Sequence, residues 1–441
     1  MRISSTMMSN NYLKQLNGTY EQYSKLMEQA DGSKLHRASD NAVGYSKYLR
    51  YQNNKISNEQ YQSNVGTAAS WMKNADAALV NVTDLLQTFK AKVEQGSNST
   101  NNESDMKDIA KELLANVQEQ VADLNTQIGD RFLFAGQKDT TMPFEISADK
   151  MNRGDTFTLD EKQSAFFSGA TGWGDENTTV KQMLKLKGDD GNSYYMNVNT
   201  GDVYTEDFVK NGYKNEDKFD PATQRIGNLT GGTNPPTAYN VSENFDQYGV
   251  IKTDANVGTN ANYKITVDGK DVNLKLSTTK QYIVKYAGDD KYISMVKKNG
   301  GVDKATDTVN VTGQDINGCD LFDVGNDPHS GTARLNQLLY TVAKMDAADY
   351  KWAGEQGMTI ADSAHATVLG AQTKMAARQQ AYNSSSSMLV TQNESITSDI
   401  SDVSSTDVAL LATKLMEYQT IYSLSLSVGS KILPGTLADY L

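Results

Sequence analysis

One cysteine, Cys319, stands in 441 residues, so the chain has no partner for an intrachain disulfide and no Cys-rich zinc site. With Asp320 beside it and no base nearby in sequence, Cys319 reads as a small buried filler, not an activated nucleophile. Such scarcity suits a reducing cytosol, and it equally suits a chain exported unfolded through a narrow channel. Histidine is nearly as rare: His36, His329 and His365 fall too far apart for a His-x-x-x-His metal pair, and His36 and His365 read as solvated. The phosphate-binding Gly-x-x-x-x-Gly-Lys, the dinucleotide Gly-x-Gly-x-x-Gly and the Gly-x-Ser-x-Gly nucleophile elbow are all missing. The acid pairs Asp189-Asp190 and Asp289-Asp290 lack the remainder of a calcium loop and read as turns. No catalytic, cofactor-binding or metal-ligating residue is expected, and no enzyme activity.

Positive charge is in deficit as well. Lys and Arg number 42 against 54 Asp and Glu, a net charge of −12, which offers no basic face to a phosphate backbone. The longest apolar run near the C-terminus, Val408 to Ala412, is far short of the roughly 20 residues that cross a bilayer. Residues Met1 to Met8 lack the apolar core of a cleavable secretory signal. Neither nucleic acid nor membrane is expected as a partner. Only 38% of the residues are hydrophobic, low for a compact chain of this length, which points to an elongated shape with narrow apolar seams or long polar insertions. At roughly 150 residues per domain the chain should hold about three modules.

The apolar residues that are present repeat at helical spacing. Leu13, Leu16, Tyr20, Tyr23 and Met27 alternate steps of three and four, the seam of a short coiled coil. Asp31-Gly32-Ser33-Lys34 interrupts it, and Ser39-Asp40-Asn41 offers caps for a second helix from about Ala42 to Glu94. Trp71, Ala75, Ala78, Val82, Leu85 and Phe89 share one face of that helix. Its length would be roughly 75 Å, longer than a compact domain is wide. A third helix from Ser104 would turn Met106, Ile109, Leu113, Val117, Leu124 and Ile128 inward. Towards the other end, Leu335, Leu338, Val342 and Met345 seed one helix. Val368, Met375, Tyr382, Leu389, Ile396 and Val403 then follow at strict intervals of seven. The companions Ala371, Arg378, Ser385, Gln392 and Asp399 are mostly polar, which makes this a narrow seam suited to packing on Trp71 to Phe89. Val408, Leu411, Leu415, Tyr418 and Tyr422 resume the three-four rhythm after a slip. The two terminal seams should meet as an antiparallel pair, short and polar enough to order only against partners.

Between about Thr141 and Pro328 the texture changes to Gly, Asp, Asn, Thr and Tyr. Tyr263 to Leu276 alternates on either side of Asp268-Gly269, a hairpin that sets Ile265 opposite Val272 and Tyr263 opposite Leu274. Tyr282, Val284 and Tyr286 alternate again. Lys187-Gly188-Asp189-Asp190 with Tyr194, Met196 and Val198 is echoed by Gly288-Asp289-Asp290-Lys291 with Tyr292, Met295 and Val296, both read as turns between strands of a duplicated unit, with chance as the alternative. The fold class is therefore α+β: elongated, with long antiparallel helices from both chain ends and a β-rich insertion. Residues 1–40 and 408–441 would be terminal assembly helices. Residues 41–140 and 330–407 would form a long-helix bundle with a short β-hairpin, and 141–329 a β-rich outer domain.

Several of these segments resemble the flagellar hook-associated protein 3 family, the hook–filament junction branch of the flagellin superfamily. The opening Met1-Arg2-Ile3-Ser4 is similar to its start, and Gly32-Ser33-Lys34 with Ala38 to Gly44 to its turn and helix entry, although Asn41 and Ala42 stand where the family usually has Asp and Pro. Arg131-Phe132-Leu133-Phe134-Ala135-Gly136 resembles the Phe-x-Phe-Ala-Gly segment that separates these proteins from true flagellin. Ala409-Leu410-Leu411 through Tyr418 to Leu437-Ala438-Asp439-Tyr440-Leu441 resembles the C-terminal helix and tail. The likeness covers about residues 1–145 and 330–441. It implies export through the flagellar type III apparatus without signal cleavage, a chaperone at the C-terminal helix, and a ring of subunits between the hook-side junction protein (hook-associated protein 1) and flagellin. The alternatives are a flagellin that builds the filament itself, a flagellar-type stem carrying an adhesive β domain, and a coiled-coil protein unrelated to flagella.

Overall fold

Apolar residues at three-four spacing build helices wherever nothing interrupts them, and the longest uninterrupted tracts here give helices of 55 and 47 residues. A computed structural model describes residues 5–170, 180–212, 224–229, 244–252, 263–293, 308–318, 320–322 and 331–432. Met1 to Ser4, Met295, Val296, Cys319, His329 and the tail Leu437 to Leu441 lie outside the described residues. The helices are α1 (Ser5–Glu28), α2 (Ala42–Gly96), α3 (Glu103–Leu124), α4 (Glu161–Ala170), α5 (Glu206–Asn211), α6 (Gly313–Asn317), α7 (Ala333–Asp346), α8 (Met358–Ser404) and α9 (Val408–Ile432). The chain divides into two compact units, Met1–Gly66 with Asn383–Leu441, and Thr67–Tyr382.

In the first unit α1 pairs with α9, and the first part of α2 with the last part of α8. Both pairs are antiparallel: the Tyr12 hydroxyl donates to the Ser425 carbonyl at 2.6 Å, and Gln62 Nε2 donates to the Leu389 carbonyl at 3.1 Å. The α2–α8 contact is polar as much as apolar. Buried Asn58 accepts from Gln62 Nε2 at 2.7 Å and donates to Gln392 Oε1 at 3.4 Å. Along α8, Leu389 is buried, and Ile396 and Val403 are half-buried. Beyond Leu389 the half-buried companions are Asn393 and Ile400, while Gln392 and Asp399 turn outward, a drift that a straight helix imposes on a strict seven-residue repeat.

The second unit is a helical core carrying a β region. Met72, Ala75, Leu79, Val82, Leu86, Phe89 and Val93 of α2 are buried, with Met106, Ile109, Leu113, Val117 and Val121 of α3, Leu335, Leu338 and Met345 of α7, and Val368, Ala371, Met375 and Tyr382 of α8. Trp71 and Leu85 are only half-buried, because the inward face passes one residue further on, through Met72 and Leu86. Lys90 to Asp362 at 2.5 Å and Lys92 to Glu112 at 2.5 Å bridge the rims of this core. Helix α3 starts with a capping box between Asn102 and Asp105 and stops at Leu124, so Ile128 belongs to a small hairpin, β1 (Gln127–Ile128) with β2 (Arg131–Phe132), and not to the helix.

The remaining strands are β3 (Phe144–Ile146), β4 (Met151–Gly154), β5 (Thr156–Thr158), β6 (Gln182–Gly188), β7 (Ser193–Met196), β8 (Asp202–Thr205), β9 (Gly227–Asn228), β10 (Tyr263–Val267), β11 (Lys270–Leu276), β12 (Thr278–Gln281) and β13 (Val284–Tyr286). A seven-stranded antiparallel sheet runs β10-β11-β6-β7-β8-β9, with β5 beside β11 on the same edge of β6. The β10–β11 hairpin has the expected register, Ile265 opposite Val272 and Tyr263 opposite Leu274, and Asp268 and Gly269 take φ of 49° and 76° in its turn. One face of the sheet buries Leu184, Leu186, Met196, Val203, Ile265, Val272 and Leu274 with Phe245 and Phe322; on the other, Phe157, Phe167, Tyr195 and Tyr204 pack with α4 and α5. The two Gly-Asp-Asp segments part company. Gly188 to Asp190 is the β6–β7 turn, where Asp190 accepts from Asn192 and Tyr194, and Asp189 accepts from Asn273. Gly288 to Asp290 follows β13 and binds the segment after β2, so it is no turn of a duplicated sheet unit.

Three helix-borne amides join the β region to the helices, each exchanging two hydrogen bonds with one residue's backbone. Asn125 accepts from Phe144 N–H at 3.0 Å and donates to its carbonyl at 2.9 Å. Asn336 on α7 does the same for Val284, at 2.8 and 3.2 Å. Gln356, in a π turn over Ala353–Gly357 ahead of α8, does so for Thr158, at 2.8 and 3.2 Å. Each amide completes the open edge of a short strand as one residue of a neighbouring strand would, and so satisfies backbone groups that burial would otherwise strand. Arg153 and Asp320, both buried, form an ion pair, and Arg153 Nε donates to the Tyr248 carbonyl at 3.0 Å. Among the described residues, the partners of buried Arg334 are neutral, Gln120 Oε1 at 2.6 Å and Asn317 Oδ1 at 3.0 Å, and desolvation lowers its pKa to about 9.

Candidate assembly interface

The helices α1 and α9 meet along two stripes at three-four spacing. On α1 the half-buried positions are Ser9, Tyr12, Leu16, Thr19, Tyr23 and Leu26. On α9 they are Leu415, Tyr418, Tyr422 and Ser425, with Leu411 and Gly429 fully buried. Tyr20 and Tyr422 approach ring to ring at 5.8 Å, and Gly429 leaves room for Tyr12, whose hydroxyl a Cβ there would overlap. Leu16, Tyr23, Leu411, Leu415, Tyr418 and Tyr422 therefore line the contact. Leu13, Met27 and Val408 do not: they are 42%, 52% and 68% exposed, while Tyr20, 56% exposed, meets Tyr422 along one edge and leaves the rest of its ring open. A helix with apolar residues on two stripes can bury one against its immediate partner and present the other, and polar Ser9 and Thr19 take the places the apolar residues vacate.

The outward stripe is extensive. Leu410, Met416, Ile421, Leu424, Leu426 and Val428 are exposed on α9 alongside Leu13, Tyr20 and Met27 on α1, and Val43, Leu49 and Ile56 are exposed on α2. Scattered exposed apolar residues are ordinary, but this many on neighbouring turns of two paired helices is the mark of a surface that is covered in use.

The turns at the end of the pair are stitched together. Ser33 and Ser405 form an antiparallel bridge, Lys34 N–H donates to the Ser404 carbonyl at 2.7 Å, and Thr406 N–H donates to the Gly32 carbonyl at 3.0 Å. Gly32, at φ 94°, makes the reversal that a side chain would resist. His36 Nε2 lies 2.8 Å from Asp31 Oδ2, and Asp40 Oδ2 accepts from the N–H groups of His36 and Arg37 at 3.1 and 2.9 Å. The hydrogen bond from His36 holds the Asp31 carboxyl below the usual carboxylate range, and that from the Arg37 N–H does the same for Asp40. His365 is half-buried on α8.

The segment Phe132 to Gly136 lies inside the second unit. Phe132, Leu133, Phe134 and Ala135 are buried. The Phe134 carbonyl accepts from the Tyr286 hydroxyl at 2.9 Å and the Gly313 N–H at 3.1 Å, and the Ala135 carbonyl accepts from Asp289 N–H at 3.0 Å. Asp289 Oδ1 in turn accepts from Gln137 N–H at 2.7 Å. Gly136 has φ 71°, and a Cβ on it would overlap the Asp289 carbonyl oxygen. Among the described residues no group of three His, Cys, Asp or Glu is placed to hold a metal, and no helix is long and apolar enough to cross a membrane.

Residues 3–139, which hold α1, α2, α3 and this segment, match the family model of the bacterial flagellin N-terminal helical region. The N-terminal third of the chain is thus similar to the flagellin helical region. Curated relatives include a flagellin from Clostridium tyrobutyricum, 33% identical over 116 residues (26% of this chain, 30% of that protein), and one from Salmonella montevideo, 25% identical over 302 residues (59% and 58%). The chain thus spans under two thirds of the length of the curated relatives it matches. Among solved structures, a putative flagellar hook-associated protein from Vibrio parahaemolyticus is 14% identical, with 83% of this chain and all of that one covered and a TM-score of 0.44. FlgL from Xanthomonas campestris is 13% identical, with 80% and 99% covered and a TM-score of 0.36. The match to the flagellin helical region takes in α1, the helix that α9 lies against.

Proposed function

We propose that this protein is a structural subunit of the bacterial flagellum that forms the junction between hook and filament. The observation that carries the reading is the flagellin-type region over residues 3–139, whose first helix pairs with α9 and leaves an apolar stripe uncovered. Leu13, Tyr20, Met27 and Val408 would be buried against neighbouring subunits, while Leu16, Tyr23, Leu411, Leu415, Tyr418 and Tyr422 hold the pair that presents them. At about 25 cal/mol per Å2 of apolar surface, a few such side chains contribute a few kcal/mol per contact, multiplied around a ring. The resemblance of Met1 to Ser4 and of Arg131 to Gly136 to hook-associated proteins favours the junction over the filament. The partners are other copies of the chain, the hook-side junction protein, flagellin, and a chaperone at the C-terminal helix. The subunit is exported by the flagellar type III apparatus to the extracellular flagellum, and it performs no catalysis.

A second reading, the filament subunit itself, has one observation in its favour: the curated relatives reported above are named flagellin. A deletion strain separates the two. Bare hooks with flagellin shed into the medium identify the junction; loss of the main filament antigen with junction proteins still on the hook identifies the filament subunit. Normal filaments and motility would refute both. In the complemented strain, Leu415→Asp should abolish incorporation while the second unit stays folded by circular dichroism. Normal filaments containing the variant would show that the α1–α9 pair is dispensable.

A further inference from the structure

Methionine is distributed unevenly between the two units. Among the described residues, the methionines of the first unit are Met7, Met8, Met27, Met388 and Met416, and all are between 52% and 63% exposed. In the second unit Met72, Met106, Met183, Met196, Met345 and Met375 are at most 1% exposed, Met151 and Met358 are half-buried, and Met142 is 49% exposed. Four of the five exposed methionines of the first unit stand on α1 and α9, among the outward apolar residues of the terminal pair. Leucine would supply the same apolar area. A thioether adds a lone pair that peroxides attack, and its reactivity follows exposure.

We infer that these five methionines are an oxidation site through which hydroperoxides block assembly of the chain. The sulfur lone pair attacks the terminal peroxide oxygen and the O–O bond breaks; the released hydroxide (alkoxide from an organic hydroperoxide) takes the proton of the new S–OH group, leaving the sulfoxide and water (or the alcohol). Sulfur is oxidised by two electrons and the peroxide is reduced. The product sulfoxide carries a strong acceptor oxygen, and wherever the proposed assembly buries one of these side chains, burying that oxygen without a donor is unfavourable. The second unit keeps its buried thioethers and its fold, so the lesion acts on assembly and not on stability. The inference rests on the assembly role proposed above.

The experiment treats the full chain with hydrogen peroxide, maps sulfoxides by peptide mass spectrometry, and measures co-sedimentation with hook–basal-body complexes isolated from the deletion strain. Met7, Met8, Met27, Met388 and Met416 should gain oxygen well before the six buried methionines, and capture should fall by at least about tenfold. A variant with all five changed to leucine should sediment like the untreated chain before and after peroxide, although its Met142 is oxidised. Methionine sulfoxide reductases should restore the wild-type chain. Treated chain that carries the five sulfoxides yet is captured normally would overturn the inference, as would a five-leucine variant that loses capture equally. An untreated chain that fails to sediment overturns the assembly reading itself, and this inference with it.

Discussion

Replacing Asn336 by leucine tests whether a single helix-borne amide holds the β region to the helices. Val284 sits opposite Ile146 in the β13–β3 pair, but its own N–H and carbonyl face away from β3 and meet Asn336 at 2.8 and 3.2 Å. Neighbours Ile283 and Ala287 make the bonds across to β3, the Ile283 carbonyl accepting from Ser147 N–H and Ala287 N–H donating to Pro143. Asn336 and Val284 are at most 1% exposed, so water cannot replace the lost partners without opening the structure. Leucine matches asparagine in size and leaves two buried backbone groups unpaired, each costing about 1–3 kcal/mol. The more apolar side chain offsets about 1–2 kcal/mol of that. The expected net loss is about 2–4 kcal/mol in denaturant unfolding of the second unit. Native-state hydrogen exchange gives the local readout, with the Val284 amide exchanging at least about tenfold faster. A loss under about 0.5 kcal/mol with Val284 protection unchanged would refute the reasoning, because the amide would then not be what satisfies the strand.

Three further outcomes follow from particular contacts. Gly136→Ala places a Cβ against the Asp289 carbonyl at φ 71°, and should lower the stability of the second unit by about 1–3 kcal/mol; a thermal midpoint equal to the parent's would contradict it. Arg153→Leu removes the guanidinium from the buried Asp320 carboxylate, whose pKa burial already raises, and should cost about 3–5 kcal/mol in urea unfolding; the double change with Asp320→Leu should recover most of it. Asp31 and Asp40 have lowered pKa values in the folded turn, so their contribution is present above the ordinary carboxylate range and is lost as pH falls through the folded values. The amides of His36 and Arg37, both bound to Asp40, should therefore lose protection below about pH 4, and equal protection at pH 3 and pH 6 after correction for intrinsic rates would refute this.

Local chemistry that leaves one solution could be read from residues alone. Asp268-Gly269 between alternating runs admits one tight turn, and that turn fixes which side chains face each other, so the Tyr263–Leu276 hairpin was legible to the residue. The seven-residue repeat from Val368 was legible in the same way, since only a helix brings those side chains to one face. The terminal helices were legible as helices but not in their facing. Leu13, Tyr20 and Met27 are apolar and point outward, while Ser9 and Thr19 are polar and point in, because α1 carries apolar residues for two surfaces and hydropathy cannot say which is covered within the chain. Least legible were Asn125, Asn336 and Gln356. An amide on or beside a helix reads as surface, and only the meeting of a helix with the open edge of a strand, set by contacts distant in sequence, turns it into the missing hydrogen-bond partner. The same holds for Arg131 to Gly136, legible as a motif but not as buried. Its tight fit against Tyr286, Asp289 and Gly313 means that whatever it contributes is exerted by shaping the second unit and not by offering a surface.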